Sequence, residues 1–249
     1  MRTRASAGLL AIAVAVFWAG ASAQEALPPA RAIIDRFVEA TGGREAIAKH
    51  SSRRALGRIS MPAQGVEGNL ELLAARPDLM RLRMSIPGVG EIQSGYDGKI
   101  GWSLNPLTGP MVLQGKSLEQ MKADADFDAS LHSDKQYKVL ETVERTTFEG
   151  RPAYRVRAVR ITGDEDFEFF DTETGLMLGS MVTRESPMGP VKATHVTSDY
   201  REFGGTKIAS KIVQKLMGTE QIITITEVHF DAVDKAAFAP PPAIQALVK

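Results

Sequence analysis

The sequence predicts a mostly β fold of the α+β kind, an antiparallel meander of about ten strands with helices near its start and middle. Three observations predict it. The apolar spacing changes from three and four residues to two at about residue 53, turn-forming pairs recur at hairpin spacing, and only two stretches keep a helical period. In chain order, Pro28-Pro29 opens a helix whose Ile33, Ile34, Phe37 and Val38 share one face; proline suits a helix start because its missing N–H has no partner to lose there. Gly42-Gly43 ends it, and Arg44 to Lys49 adds a turn or two. Strands follow around Leu56 to Met61 and Val66 to Ala75. Met80, Leu82, Met84 and Ile86 then alternate with Arg81, Arg83 and Ser85, a strand with one wet face. Pro87-Gly88, Asp97-Gly98, Glu149-Gly150, Gly163-Asp164, Thr174-Gly175 and Gly204-Gly205 mark turns. The intervening runs 90–96, 99–104, 137–147, 153–162, 166–171, 176–185, 190–202, 207–217 and 220–230 read as strands. Ser117 to Leu131 interrupts them as a helix with Leu118, Met121, Ala125 and Leu131 inward.

An open sheet of about ten strands must curl strongly or close into a barrel. Ile222, Ile223 and Ile225, like Phe167, Phe169 and Phe170, place apolar groups on both faces. That pattern fits a two-sided core, and it equally fits one face under a helix with the other lining a cavity. No repeat or low-complexity linker divides the chain, so 24–249 is expected to be one domain.

Residues 1–23 have the order of a secretory signal peptide: Arg2 and Arg4, an apolar stretch from Leu9 to Phe17, then Ala21-Ser22-Ala23 before Gln24. The apolar stretch is shorter than the ~20 residues a spanning helix needs. The chain has no cysteine, which excludes disulfides, thiol catalysis, zinc–thiolate and iron–sulfur sites, and a lipid anchor after the cleavage site. Lys+Arg and Asp+Glu number 30 each, and loss of Arg2 and Arg4 leaves a mature charge of −2, so a strongly basic nucleic-acid surface is not expected. The mature protein is expected to be exported, soluble, periplasmic and without a membrane span.

Several catalytic and ligand motifs are approached and missed. Gly109 to Ser117 resembles a phosphate loop, but five residues separate its glycines where four are required, and Pro110 has no N–H to offer. Asp124, Asp126 and Asp128 alternate as at the start of a calcium loop. Ala129 stands where glycine is needed and Lys135 where a bidentate Glu is needed, so these carboxylates read as a solvated helix face. His50, His132, His195 and His229 have no zinc spacing, and no GxSxG elbow or dinucleotide fingerprint occurs. The expectation is no enzyme, no cofactor and no metal; a triad assembled from distant segments would leave no local trace.

What remains is apolar surface. Met80, Met84, Met111, Met177, Met181 and Met217 are spread over the strand region, and methionine adapts to variable chains. Tyr96 and Trp102 flank the Asp97-Gly98 turn. The candidate ligand-binding residues are Met80, Leu82, Met84, Tyr96, Trp102 and Met181; the same residue types also suit an ordinary core.

Four segments carry a resemblance. They are Leu27-Pro-Pro-Ala-Arg-Ala-Ile-Ile-Asp-Arg-Phe-Val-Glu-Ala-Thr-Gly-Gly-Arg44, Gly95-Tyr-Asp-Gly-Lys-Ile-Gly-Trp-Ser-Leu-Asn-Pro-Leu-Thr-Gly-Pro110, Phe169-Phe-Asp-Thr-Glu-Thr-Gly-Leu176 and Val233-Asp-Lys-Ala-Ala-Phe-Ala-Pro-Pro241. They resemble the bacterial outer-membrane lipoprotein-sorting proteins, a group similar to the LolA/LolB carriers and the RseB sensor domain. The resemblance implies a curved, incomplete antiparallel β-barrel lidded by the N-terminal and mid-chain helices, with an apolar cavity. It implies acyl lipid or lipoprotein cargo, or an envelope protein partner if the chain works as an RseB-like sensor or interaction module.

Overall fold

The computed structural model describes residues 26–132, 136–186 and 189–248; the expected signal peptide, 1–23, lies outside the described residues. The first helical stretch forms α1 (Ala30–Ala40) and α2 (Gly43–Ala48), and the second forms α3 (Gly115–Ala125). Before α3 come β1 (Ser52–Met61), β2 (Val66–Ala75), β3 (Leu79–Ile86), β4 (Gly90–Tyr96), β5 (Gly101–Asn105) and β6 (Gly109–Val112). After it come β7 (Tyr137–Phe148), β8 (Arg151–Arg160), β9 (Glu165–Asp171), β10 (Met177–Arg184), β11 (Val191–Phe203), β12 (Thr206–Leu216) and β13 (Thr219–Phe230). A 3-10 turn (Lys235–Phe238) and a short α4 (Pro242–Gln245) close the chain.

All thirteen strands form one antiparallel sheet in the order β6-β5-β4-β3-β2-β1-β13-β12-β11-β10-β9-β8-β7. The expectation of about ten strands is too low. One strand that the sequence hid is β6, which is the near-miss phosphate loop: Gly109 and Pro110 discourage a strand reading, yet Pro110 sits opposite Leu104 on an edge strand, where a missing N–H is tolerated. The chain begins at the middle of the sheet, steps outward to β6, crosses through α3 to the far edge at β7, and steps back until β13 pairs with β1. The sheet is not closed, because β6 and β7 are its two edges.

The sheet is strongly curled, and α3 shows by how much. Leu118 packs where β5 has only the hydrogen of Gly101, and Lys122 lies over the Tyr96 ring of β4. From the same helix, the Gln120 Oε1 accepts from the Glu185 backbone N–H at 2.9 Å, and Asp124 pairs with Arg160 and Arg184 of β8 and β10. β4 and β10 are seven strand steps apart, ~34 Å in a flat sheet. An eleven-residue helix is ~16 Å long and ~10 Å across, so its side chains reach both strands only if the sheet bends round it.

The inner face divides by helix. α1 lays Ala30, Ile33 and Ile34 against Val156 and Phe170, with Phe37, Leu140, Tyr154 and Met177 around them. The Phe37 and Phe170 rings meet edge-on, with centroids 5.7 Å apart. The α1–α2 junction reaches β12, where Gly42 packs against the Gly205 carbonyl and the Lys207 N–H donates to the Thr41 carbonyl at 2.8 Å. A Cβ at Gly42 would lie 2.5 Å from that carbonyl, with φ at +123°, so this contact requires glycine.

On the outer face, the alternate residues of β1–β4 form the ion-pair ladder Arg54–Glu71–Arg83–Glu91. Toward the β6 edge that face is covered by the C-terminal segment: Phe238 packs on Leu73, Ala75 and Leu79, and the Ala237 carbonyl accepts from Arg81 at 2.9 Å. Across β7–β11, Phe148, Ala153, Phe169 and Leu178 make a second outer cluster. Gly179 permits the Phe148 ring to lie on the backbone.

Candidate functional site

The inner face of β13-β1-β2-β3-β4 is a set of cross-strand rows. Arg53 faces Ala74, Ala74 faces Met80 and Met80 faces Tyr96. In the next row Val228, Ala55, Leu72, Leu82 and Ser94 are successive partners, and in the next Gly57, Leu70, Met84 and Ile92. Ile212, Ile223 and Ile59 continue the surface. Strand alternation puts all of them on the same side of the sheet as α3. Ala55, Leu70 and Ile225 are buried, while Leu72, Met80, Leu82, Met84, Ile92, Ile212 and Ile223 stay partly exposed although they face inward. These rows are therefore an apolar wall rather than a sealed core.

Of the six expected site residues, the fold brings four together: Met80, Leu82, Met84 and Tyr96. Trp102 and Met181 are not with them. Trp102 sits opposite Gly95, so it points to the outer face; it is fully buried there, its ring lying on Gly95 where a Cβ would come within 2.9 Å. Met181 pairs with Phe167 on the outer face and is 42% exposed. Sequence reasoning missed Leu72, Ile92, Ile212 and Ile223. Leu72 and Ile92 could have been found by continuing the Met80–Ile86 alternation onto its neighbours; Ile212 and Ile223 depend on the long-range pairing of β12, β13 and β1.

A cavity of about 520 Å³ opens beside this wall. It lies between α3 (Glu119, Lys122, Ala123), the turn before β3 (Pro77, Asp78) and the β8–β9 turn (Arg160, Ile161, Thr162). Its lining contains none of the six expected residues, and Lys122 links it to the Tyr96 ring at 5.9 Å.

The three alternating carboxylates are more than the solvated face expected of them: Asp124 is exposed as expected, but all three have partners on neighbouring elements. Each ties α3 or the segment after it to a neighbouring element. Asp124 pairs with Arg160 and Arg184, Asp126 accepts from the Gln136 amide at 3.0 Å, and Asp128 takes both ends of the Arg76 guanidinium at 2.7 and 2.8 Å. Phe127, between the last two, donates its N–H to the Pro77 carbonyl and has two cations near its ring, Arg53 at 5.6 Å and Arg76 at 5.3 Å from the centroid. Alternation served these contacts because successive side chains of the irregular segment after α3 reach different neighbours.

The other half of the inner face is polar where α1 ends. Asp166, 2% exposed at its side chain, accepts from Arg160 Nε at 2.8 Å and Arg184 Nη1 at 3.2 Å. The Tyr137 hydroxyl donates to Glu168 Oε1 at 3.0 Å. Burial pushes the Glu168 carboxyl above the usual range, against the Tyr137 hydrogen bond and the Arg160 charge, which lower it. Burial also lowers the His195 pKa, with Arg184 adding to the effect, so its ring is neutral at pH 7. Ser180 Oγ lies 3.5 Å from His195 Nδ1, longer than a good hydrogen bond. Among the described residues no carboxylate hydrogen bond orients this ring, so the pair lacks the third group of a hydrolytic triad. No group of three or more His, Asp or Glu among the described residues is placed to hold a metal. No helix of the described residues is long and apolar enough to cross a membrane.

The arrangement as a whole is shared with known structures. No family model and no curated protein matches the chain. A LolA superfamily protein from Nitrosomonas europaea superposes with a TM-score of 0.56 at 12% identity, over 86% of this chain and 99% of that one. A DUF1329 family protein from Desulfovibrio piger gives 0.58 at 12% identity, over 86% and 98%. An outer membrane lipoprotein-sorting protein domain from Vibrio parahaemolyticus gives 0.52 at 11% identity, over 84% and 95%. At these identities the likeness is one of fold, and at that level the expected family resemblance is met.

Proposed function

We propose that residues 24–249 form a single periplasmic domain that binds or carries acyl chains of lipids or lipoproteins, without catalysis, on the inner face of the curled sheet. One observation carries the reading: the apolar rows of β13-β1-β2-β3-β4 face inward under α3 and remain partly exposed. A wall of this kind binds by removing methylenes from water, about 0.8 kcal/mol for each, with no bond made or broken. Met80, Leu82, Met84 and Tyr96 are its proposed contacts, and the methionines let one surface accept chains of different shape. The LolA-type fold of its structural neighbours, one of them a lipoprotein-sorting domain, supports the same reading. Release then requires an acceptor that binds the chain more strongly, since transfer follows differential affinity.

Native mass spectrometry of the mature protein from the periplasm tests this. The expected result is a population carrying one or more acyl lipids, with delipidated protein taking up a fluorescent fatty acid. Lipid-free protein that takes up no acyl probe overturns the reading, and a stoichiometric envelope protein bound regardless of lipid would replace it with an interaction module.

A further inference from the structure

Arg53 breaks the apolar wall. It stands in the row Phe230–Arg53–Ala74–Met80–Tyr96, on the inner face, next along β1 from the buried Ala55 and near the Phe127 ring. Of the outer-face arginines of the same strands, Arg54 pairs with Glu71, Arg83 pairs with Glu71 and Glu91, Arg81 donates to the Ala237 carbonyl and to Gln93, and Arg58 is exposed to water. Arg76, which also lies over the Phe127 ring, has Asp128 in a two-point contact. Arg53 has no hydrogen bond and no ion pair among the described residues; its one interaction is with the Phe127 ring. Its side chain is only partly exposed, and burial lowers its pKa with no carboxylate among the causes. An arginine cannot shed its charge as a lysine can, so the cost of holding it out of water stays until an anion arrives.

We propose that Arg53 is the counter-ion for the anionic head of the bound ligand, so that the site selects an acyl chain ending in a carboxylate or phosphate over a neutral one. The inference rests on the proposed acyl-chain site and names its ligand class. Leu72, Leu82 and Met84 lie one and two rows below Arg53, so a chain whose head meets the guanidinium runs straight onto the apolar wall. The planar guanidinium suits two-oxygen anions of either kind. Phe127 would roof the head and exclude water, which strengthens the pair.

The test uses the mature, delipidated protein and displacement of a neutral fluorescent dye, N-phenyl-1-naphthylamine. Palmitate, lysophosphatidate with a palmitoyl chain, and hexadecanol are compared on the parent and on Arg53→Met and Arg53→Gln. The parent is expected to bind one or both anions about tenfold more tightly than hexadecanol, as a charge-assisted contact gives. Whichever anion is favoured identifies the carboxylate or the phosphate as the natural head. Arg53→Met is expected to erase the preference, leave hexadecanol affinity within about twofold, and melt no lower than the parent. A parent that binds all three equally overturns the role of Arg53 while leaving the acyl site standing, and a parent that binds none overturns both. Should Arg53→Met fold poorly, Arg53→Gln carries the comparison; a preference that survives in either folded variant also overturns the proposal.

Discussion

On the β7–β10 half of the inner face, α1 presses Ile33 and Ile34 into Val156 and Phe170, and Asp166 is held between two arginines. On the β1–β4 half, rows of apolar strand residues have only the edge of α3 and Phe127 over them, and Arg53 among them has no ion pair among the described residues. The two halves differ in the helix laid across them and in the charged residues that the β7–β10 half carries beside its apolar contacts. One half spends its apolar face on folding, and the other leaves part of it open, where the acyl ligand is proposed to bind. A fold that presents a binding wall must hold its curvature by other means, and here α1, the internal ion cluster and the α3 anchors hold it.

The largest effects should come from breaking the filled half. Asp166→Ala leaves Arg160 and Arg184 with only the more distant and more exposed Asp124 between them, and is expected to lower stability by about 3 kcal/mol in chemical denaturation. A loss under about 1 kcal/mol would mean that the cluster is open to water and does not brace the sheet.

Paired truncations sharpen the contrast. Phe170→Ala removes a side chain 1% exposed and should cost about 3–5 kcal/mol, with acyl affinity of the folded fraction unchanged. Leu82→Ala removes a partly exposed one and should cost about 1–2 kcal/mol, yet weaken acyl binding about tenfold. If the two variants lose stability equally and neither changes binding, the β1–β4 wall is ordinary core.

A smaller effect is expected from Glu168. Its raised carboxyl pKa means that the folded state holds a proton which the unfolded state has released, so stability falls as pH rises above about 4 toward the folded value. Glu168→Gln keeps a partner for the Tyr137 hydroxyl and removes that loss. The variant should be at least as stable as the parent at pH 8, with a flatter profile between pH 4 and pH 8 in thermal melts. A variant that is less stable at pH 8 and parallel to the parent at every pH would show that Glu168 is ionised and paired throughout.

The smallest effect belongs to the outer ladder. Arg54 is half exposed and pairs with Glu71 on the solvent side, so Arg54→Ala should shift stability by no more than about 0.5 kcal/mol and leave binding unchanged. A change in acyl affinity there would break the assignment of inner and outer faces.

Much of this was legible in the chain itself. The alternation of Met80, Leu82, Met84 and Ile86 with two arginines and a serine determined β3, its two faces and their opposite chemistry, because a strand has a period of two whatever it packs against. The α1 face was legible in the same way, since Ile33, Ile34 and Val38 are the residues it buries. So were the hairpin turns and the absence of local metal or nucleotide motifs. β6 was not, because its Pro110 is tolerated only on an edge, and edges exist only once the strand order is set.

The tertiary structure alone decided the rest. Trp102 and Tyr96 flank one turn and look alike in sequence, yet the Gly95–Trp102 pairing sends the tryptophan to the outer face. Asp126 and Asp128 looked solvated until the fold brought Gln136 and Arg76 to them, and the still exposed Asp124 gained Arg160. Arg53 and Arg54 are neighbours of the same residue type, one beside the Phe127 ring with no ion pair among the described residues and the other paired on the outer face. Local spacing determines which side chains share a face. Which face is covered, and which charge is left without a partner, depends on contacts between residues far apart in sequence, and those exist only in the folded chain.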